Sequence, residues 1–140
     1  MSRRISFRKT LPQFVDGSKT VTRRQGWKKL KTGDRLTAVD KVMGFRKGET
    51  GNILGEIEVI SVRVEPLYTV TDADVEREGF PGRDAAWFVA FFRQGMGGPV
   101  GQWVRRIEFK HLSTLEERQA LWAARVRSLG LGKVQHKVMI

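Results

Sequence analysis

Gly17-Ser18-Lys19-Thr20-Val21-Thr22-Arg23-Arg24 is the stretch on which the reading of this chain turns. A glycine at its head suits the end of a helix, where a positive φ costs little. The β-branched run Thr20-Val21-Thr22 then favours extended backbone. Side chains alternate along a strand, so Thr22 and Arg24 share one face. Lys19, three residues before Thr22, would fall on the opposite face of a continuous strand. The two meet only if Lys19 sits in the turn. The segment therefore joins helix to strand and gathers an amine, a hydroxyl and two guanidinium groups at the junction.

Upstream, Arg3 to Arg8 alternates around Ile5 and Phe7 as one short strand face. Thr10 can cap a short helix, Leu11-Pro12-Gln13-Phe14-Val15, with proline in its first turn and Gly17 just past its end. Downstream, Trp27 stands among Lys28, Lys29 and Lys31, a setting that suits base stacking as well as burial in a core. Lys31-Thr32-Gly33-Asp34 reads as a tight turn into a strand from Arg35 to Val39. Val42 to Gly51 is a glycine-punctuated hairpin or loop carrying Arg46 and Lys47. Gly55 to Glu65 is the clearest strand. Its apolar phase changes between Ile57/Val59 and Val62/Val64, which predicts a β-bulge at Ile60-Ser61.

Thr71 opens a short acidic helix, Asp72 to Glu78, ending near Gly79, and the helix dipole accounts for Asp72 and Asp74. A second helix, Arg83 to about Arg93, carries Trp87, Phe88, Phe91 and Phe92 as a core-facing stripe. Gly95 to Gly101 is a flexible connection without a Walker pattern. Trp103, Arg105, Ile107 and Phe109 alternate on a closing strand ending near His111. Ser113 with Glu116 forms a capping box for a last helix. Leu115, Trp122, Val126 and Leu129 give that helix one apolar stripe, to lie on the barrel or on a partner, and Lys133 to Ile140 is a basic tail. No repeat or linker divides the chain. Strands interspersed with short helices predict an α+β chain built on a small mixed β-barrel.

With 140 residues, 40% of them hydrophobic, one domain with one core is expected. The absence of cysteine excludes disulfides, thiolate zinc sites and cysteine nucleophiles, and fits a cytoplasmic location. No apolar run has signal-peptide or bilayer-spanning length, so neither secretion nor a membrane partner is expected. Neither His111 nor His136 comes with a ligand spacing, so no metal and no cofactor is expected. Charge is uneven. Residues 1–35 hold eleven Lys/Arg against Asp16 and Asp34, a net of +9 within a total of +11. Clustered cations suit a polyanion partner, because displaced counterions reward them.

These motifs together resemble the ASCH domain of the PUA-like superfamily over about residues 5–112, with a C-terminal helix and tail, 113–140, outside it. The resemblance implies a pseudo-barrel with short helices at its openings, and a nucleic-acid-binding cleft (RNA or DNA) lined by the glycine-lysine motif. The contacts would come from Lys19, Arg23, Arg24, Trp27, Lys28, Lys29, Arg46 and Lys47. The usual ASCH pattern Gly-x-Lys-x-x-Glu-x-Arg maps onto Gly17, Lys19, Thr22 and Arg24, with threonine in place of glutamate.

That departure is similar to the small bacterial N4-acetylcytidine amidohydrolases, which carry a Lys-Thr-Glu catalytic set. Lys19 and Thr22 match two roles, and the run from Thr69 to Glu78 carries the third onto Glu78. In that chemistry a desolvated lysine takes the threonine proton, and nearby cations help to keep it neutral. The glutamate moves a proton to the leaving amine, and an arginine or backbone N–H holds the oxyanion. The basic first quarter places nucleic-acid binding first, deacylation of a modified nucleoside second, and a metal-dependent ribonuclease last.

Overall fold

The computed structural model describes residues 3–42 and 51–128. Among them, five strands form one curled, half-barrel sheet: β1 (Arg3–Ser6), β2 (Val21–Arg24), β3 (Arg35–Val39), β4 (Ile53–Pro66) and β5 (Trp103–His111). The order is β1-β3-β4-β5-β2, with β1 parallel to β3 and the other neighbours antiparallel. Four helices accompany the sheet: α1 (Leu11–Asp16), α2 (Asp72–Arg77), α3 (Ala85–Met96) and α4 (Leu115–Ser128). The class is α+β, as the alternation of elements predicts.

The sheet does not close through its backbone, since β1 and β2 are its two edges. A side chain joins them instead: Arg24 of β2 donates from Nη2 to the Ser6 carbonyl of β1. The bulge expected in β4 is present. Val59 pairs with Phe109 and Ser61 with Glu108, so Ile60 is left over and is 43% exposed.

Strand β5 feeds two cores. Ile107 and Phe109 pack with Ile5, Phe7 and Phe14 inside the curl. Val104, of opposite parity and hence on the other face, packs with Leu67, Val75, Phe88 and Phe92 beneath α2 and α3. The single apolar face expected on β5 is therefore divided, and Trp103 at its start is 67% exposed. Likewise Phe88 and Phe92 are the buried residues of α3, whereas Trp87 and Phe91 are only half-buried.

The last helix differs from its sequence reading in two ways. Its capping box is Thr114 with Glu117, one residue on: Thr114 N donates to Glu117 Oε1 at 2.9 Å and Glu117 N to Thr114 Oγ1 at 3.1 Å. Ser113 is otherwise engaged, its Oγ accepting from Glu56 N at 2.9 Å. Nor does Leu115, 47% exposed, lead the buried face. Arginines do. Arg118 donates to the carbonyls of Val15 and Ser113, and Arg125 Nε to Asp40 Oδ2 at 3.1 Å. These guanidinium contacts accompany the packing of α4 on α1 and β4. Gly17 is required here as well as at the helix end. Its φ is +86°, and a Cβ would meet Arg118 Nη2 at 2.9 Å. Leu129, the tail from Lys133 and the loop cations Arg46 and Lys47 lie outside the described residues.

Candidate active site

The turn after Gly17 is pinned from three sides. Lys19 N donates to Gln13 O at 3.1 Å, Thr20 N to Arg77 O at 2.9 Å, and Thr20 O accepts from Phe109 N at 2.9 Å. His111 Nε2 donates to the Lys19 carbonyl at 2.9 Å. Lys19 thus precedes the strand, and its side chain runs to the end of α2. There Nζ donates to the Glu78 carbonyl at 2.5 Å and reaches Glu78 Oε1 at 3.5 Å. Thr22 and Arg24 share a face of β2, and Arg24 Nε donates to Thr22 Oγ1 at 3.0 Å.

Behind these groups lies a buried ionic lattice. Arg23 Nη1 donates to Glu78 Oε2 at 3.0 Å, and its Nη2 to Asp74 Oδ2 at 2.7 Å and Glu65 Oε1 at 2.9 Å. Arg106, the register partner of Arg23 on β5, grips the other side of Asp74, with Nε at 2.6 Å and Nη2 at 3.0 Å. Thr71 caps α2 by accepting from Asp74 N at 3.1 Å, which fixes the carboxylate between the two arginines. Asp74 therefore does more than complement a helix dipole.

Electrostatics follow from this packing. Lys19 is 3% exposed, and burial pushes its amine from 10.5 down to about 8. Glu78 opposes that shift, while Arg24 and Arg23 add to it, so cation repulsion is secondary to desolvation. Burial lowers Arg24 to about 10, which leaves it charged at neutral pH. Arg106 and then Arg23 hold Asp74 well below the usual carboxylate range.

Lys19, Thr22, Arg24 and Glu78 line one pocket of about 260 Å³, walled by Phe7, Phe80, Phe88 and Phe91. Arg23 also borders it, but its charge is taken up by three carboxylates. Trp27 does not line it. Trp27 packs on the edge of the first core with φ +58°, and the Arg3 Cζ lies 4.4 Å from its ring centroid. Lys28 and Lys29 are exposed and also outside the lining. Among the described residues, no group of three His, Asp or Glu side chains is placed to hold a metal ion. No helix there is long and apolar enough to cross a membrane.

Sequence reading missed Asp74, Glu65 and Arg106, and missed the aromatic wall. One signal was present. Arg105-Arg106 lies between Val104 and Ile107 on an alternating strand, and a buried guanidinium group requires a carboxylate.

No protein-family model matches the chain, and no curated protein matches it. A solved structure similar to it is protein EF3133 from Enterococcus faecalis V583, described by the DUF984 family model. It is 15% identical, with 80% of each chain covered and a TM-score of 0.59. That likeness establishes a shared fold.

Proposed function

We propose that this protein is an ASCH-type, PUA-like amidohydrolase that removes an acyl group from the exocyclic amine of cytidine or a related nucleoside. The observation that supports it is the convergence of Lys19, Thr22 and Glu78 on one largely apolar pocket, with Lys19 buried and its amine lowered to about 8. Pockets of this kind, apolar with a few convergent polar groups, suit a small planar ligand.

In the reaction, neutral Lys19 takes the proton of Thr22 Oγ as that oxygen bonds to the acyl carbon. Arg24, charged and 3.0 Å from Thr22 Oγ1, orients the hydroxyl and lies beside the developing oxyanion. The C–N bond then breaks, and the proton passes through Lys19 and Glu78 to the departing amine. Water attacks the threonine ester next, with Lys19 taking its proton. The carboxylic acid leaves and gives its proton to solvent, and the proton held by Lys19 restores the hydroxyl. The test is release of cytidine from N4-acetylcytidine by the purified chain, with release abolished in Thr22→Val.

Nucleic-acid binding is the second reading. It is favoured by the exposed cations Arg4, Arg8, Lys28 and Lys29, which make no ion pair with any described residue. The buried lattice weighs against Arg23 as a phosphate contact, because its guanidinium is already matched by Glu78, Asp74 and Glu65. Affinity for RNA or DNA that fell steeply with salt would support this reading, and salt-independent affinity would contradict it.

A further inference from the structure

A second, more open groove of about 620 Å³ adjoins the pocket and shares Lys9, Phe80 and Phe91 with it. Its floor is aromatic. Trp87 and Phe91 stack with centroids 5.0 Å apart and planes 11° from parallel, and Phe80 leans on both at 5.1 and 5.0 Å. Two cations rest on this floor. Lys9 Nζ is 5.0 Å from the Phe91 centroid and Arg83 Cζ is 4.8 Å from that of Trp87. Both side chains belong to exposed residues, and neither makes an ion pair with a described residue.

That contrasts with the cations one layer inside, where Arg23 and Arg106 are neutralised by carboxylates at hydrogen-bonding distance. A ring quadrupole attracts a cation without cancelling its charge, so Lys9 and Arg83 remain able to take an anion. The shared wall sets where that anion comes from. A ligand whose base enters the pocket can extend its remaining part across the shared wall of Phe80 and Phe91 toward these two cations.

We infer that this aromatic-cationic groove is a phosphate-binding subsite, so that the ligand of the pocket is a nucleotide rather than a free nucleoside. This rests on the nucleoside reading of the pocket. A mononucleotide and a nucleotide within a single strand present the same phosphate chemistry, and the aromatic floor accommodates the stacking of a neighbouring base in the second case.

The experiment is calorimetric titration of the wild-type chain with cytidine, cytidine 5′-monophosphate and a short oligocytidylate. None carries an acyl group, so binding is read apart from turnover. The phosphate should tighten binding about tenfold or more, the worth of one charge-assisted hydrogen bond. Lys9→Gln with Arg83→Gln should erase that difference, and both sites are exposed enough for the fold to tolerate the changes. Equal affinity for the monophosphate and the oligomer identifies a mononucleotide site, and a tighter oligomer identifies a single strand; either supports the subsite. Equal affinity for cytidine and its monophosphate, no binding by any of the three, or a difference that survives the double substitution would overturn it. Deacylation of N4-acetylcytidine with phosphate-blind binding would remove the subsite alone. Phosphate-dependent binding without deacylation would remove only the hydrolase reading.

Discussion

Lys19 Nζ lies 2.5 Å from the backbone carbonyl of Glu78 and 3.5 Å from its Oε1, so the lysine is anchored mainly by an acceptor that does not titrate. A neutral amine keeps N–H groups for that carbonyl and still offers a lone pair. The anchor therefore holds in the protonation state that the proposed hydrolysis needs. With the amine lowered to about 8, kcat/KM for an acylated cytidine should rise as pH passes through that value and Lys19 loses its proton. Arg24 contributes to the lowering by like-charge repulsion. Arg24→Gln should therefore move the rising limb to higher pH, which a pH–rate series would show beyond the loss of rate itself.

Stability carries the same sign. The amine's folded value, about 8, is below its ordinary 10.5, so the unfolded chain binds the extra proton between those values. The contribution of Lys19 to unfolding free energy should rise with pH across that window, as the cost of burying a charge is relieved. Lys19→Met should lack this rise in denaturant titrations performed at either end of it.

Thr22 is 4% exposed and held by Arg24, so its hydroxyl has a fixed direction. Thr22→Val keeps the shape and removes the proposed nucleophile, and should lower kcat on the order of a thousandfold or more. Thr22→Ser should retain measurable turnover. Steady-state kinetics with circular dichroism as a folding control separates these outcomes.

Asp74 is shared by Arg23 and Arg106, and replacing it leaves two buried guanidinium groups short of a partner. Asp74→Asn should destabilise the fold by about 3 kcal/mol, chiefly through Arg106, which among the described residues keeps only Glu108 at 3.7 Å while Arg23 keeps Glu65 and Glu78. Its carboxyl is depressed below the ordinary range, so its contribution is present above that range and is lost as pH falls through the depressed value. Urea titrations of the wild type should show that acid-side loss, and those of Asp74→Asn should show less of it.

Local signals carried much of this fold. The turn chemistry of Lys31 to Asp34, the phase change at Ile60 and the glycine after α1 each dictate backbone within a few residues, and each is found where the sequence places it. The meeting of Thr22 with Arg24 also follows from strand periodicity alone. What spacing cannot give is which distant groups share a face of the sheet. Arg23 and Arg106 are 83 positions apart in numbering and become neighbours only through strand register, with Asp74 between them. The two-sided role of β5 was hidden for the same reason, since an alternating pattern read as one buried face serves two cores. Capping of α4 by Thr114 rather than Ser113 turned on Glu56, which claims the serine from 57 residues away.

In the proposed hydrolysis Lys19 is the base that activates Thr22. The most direct measurement is kcat/KM for N4-acetylcytidine across the pH range around 8, for the wild type beside Lys19→Met. The wild type should show a rising limb near that value, and Lys19→Met, folded but without an amine, should show no turnover above buffer at any pH. A Lys19→Met protein that keeps both the rate and the limb would contradict the assignment.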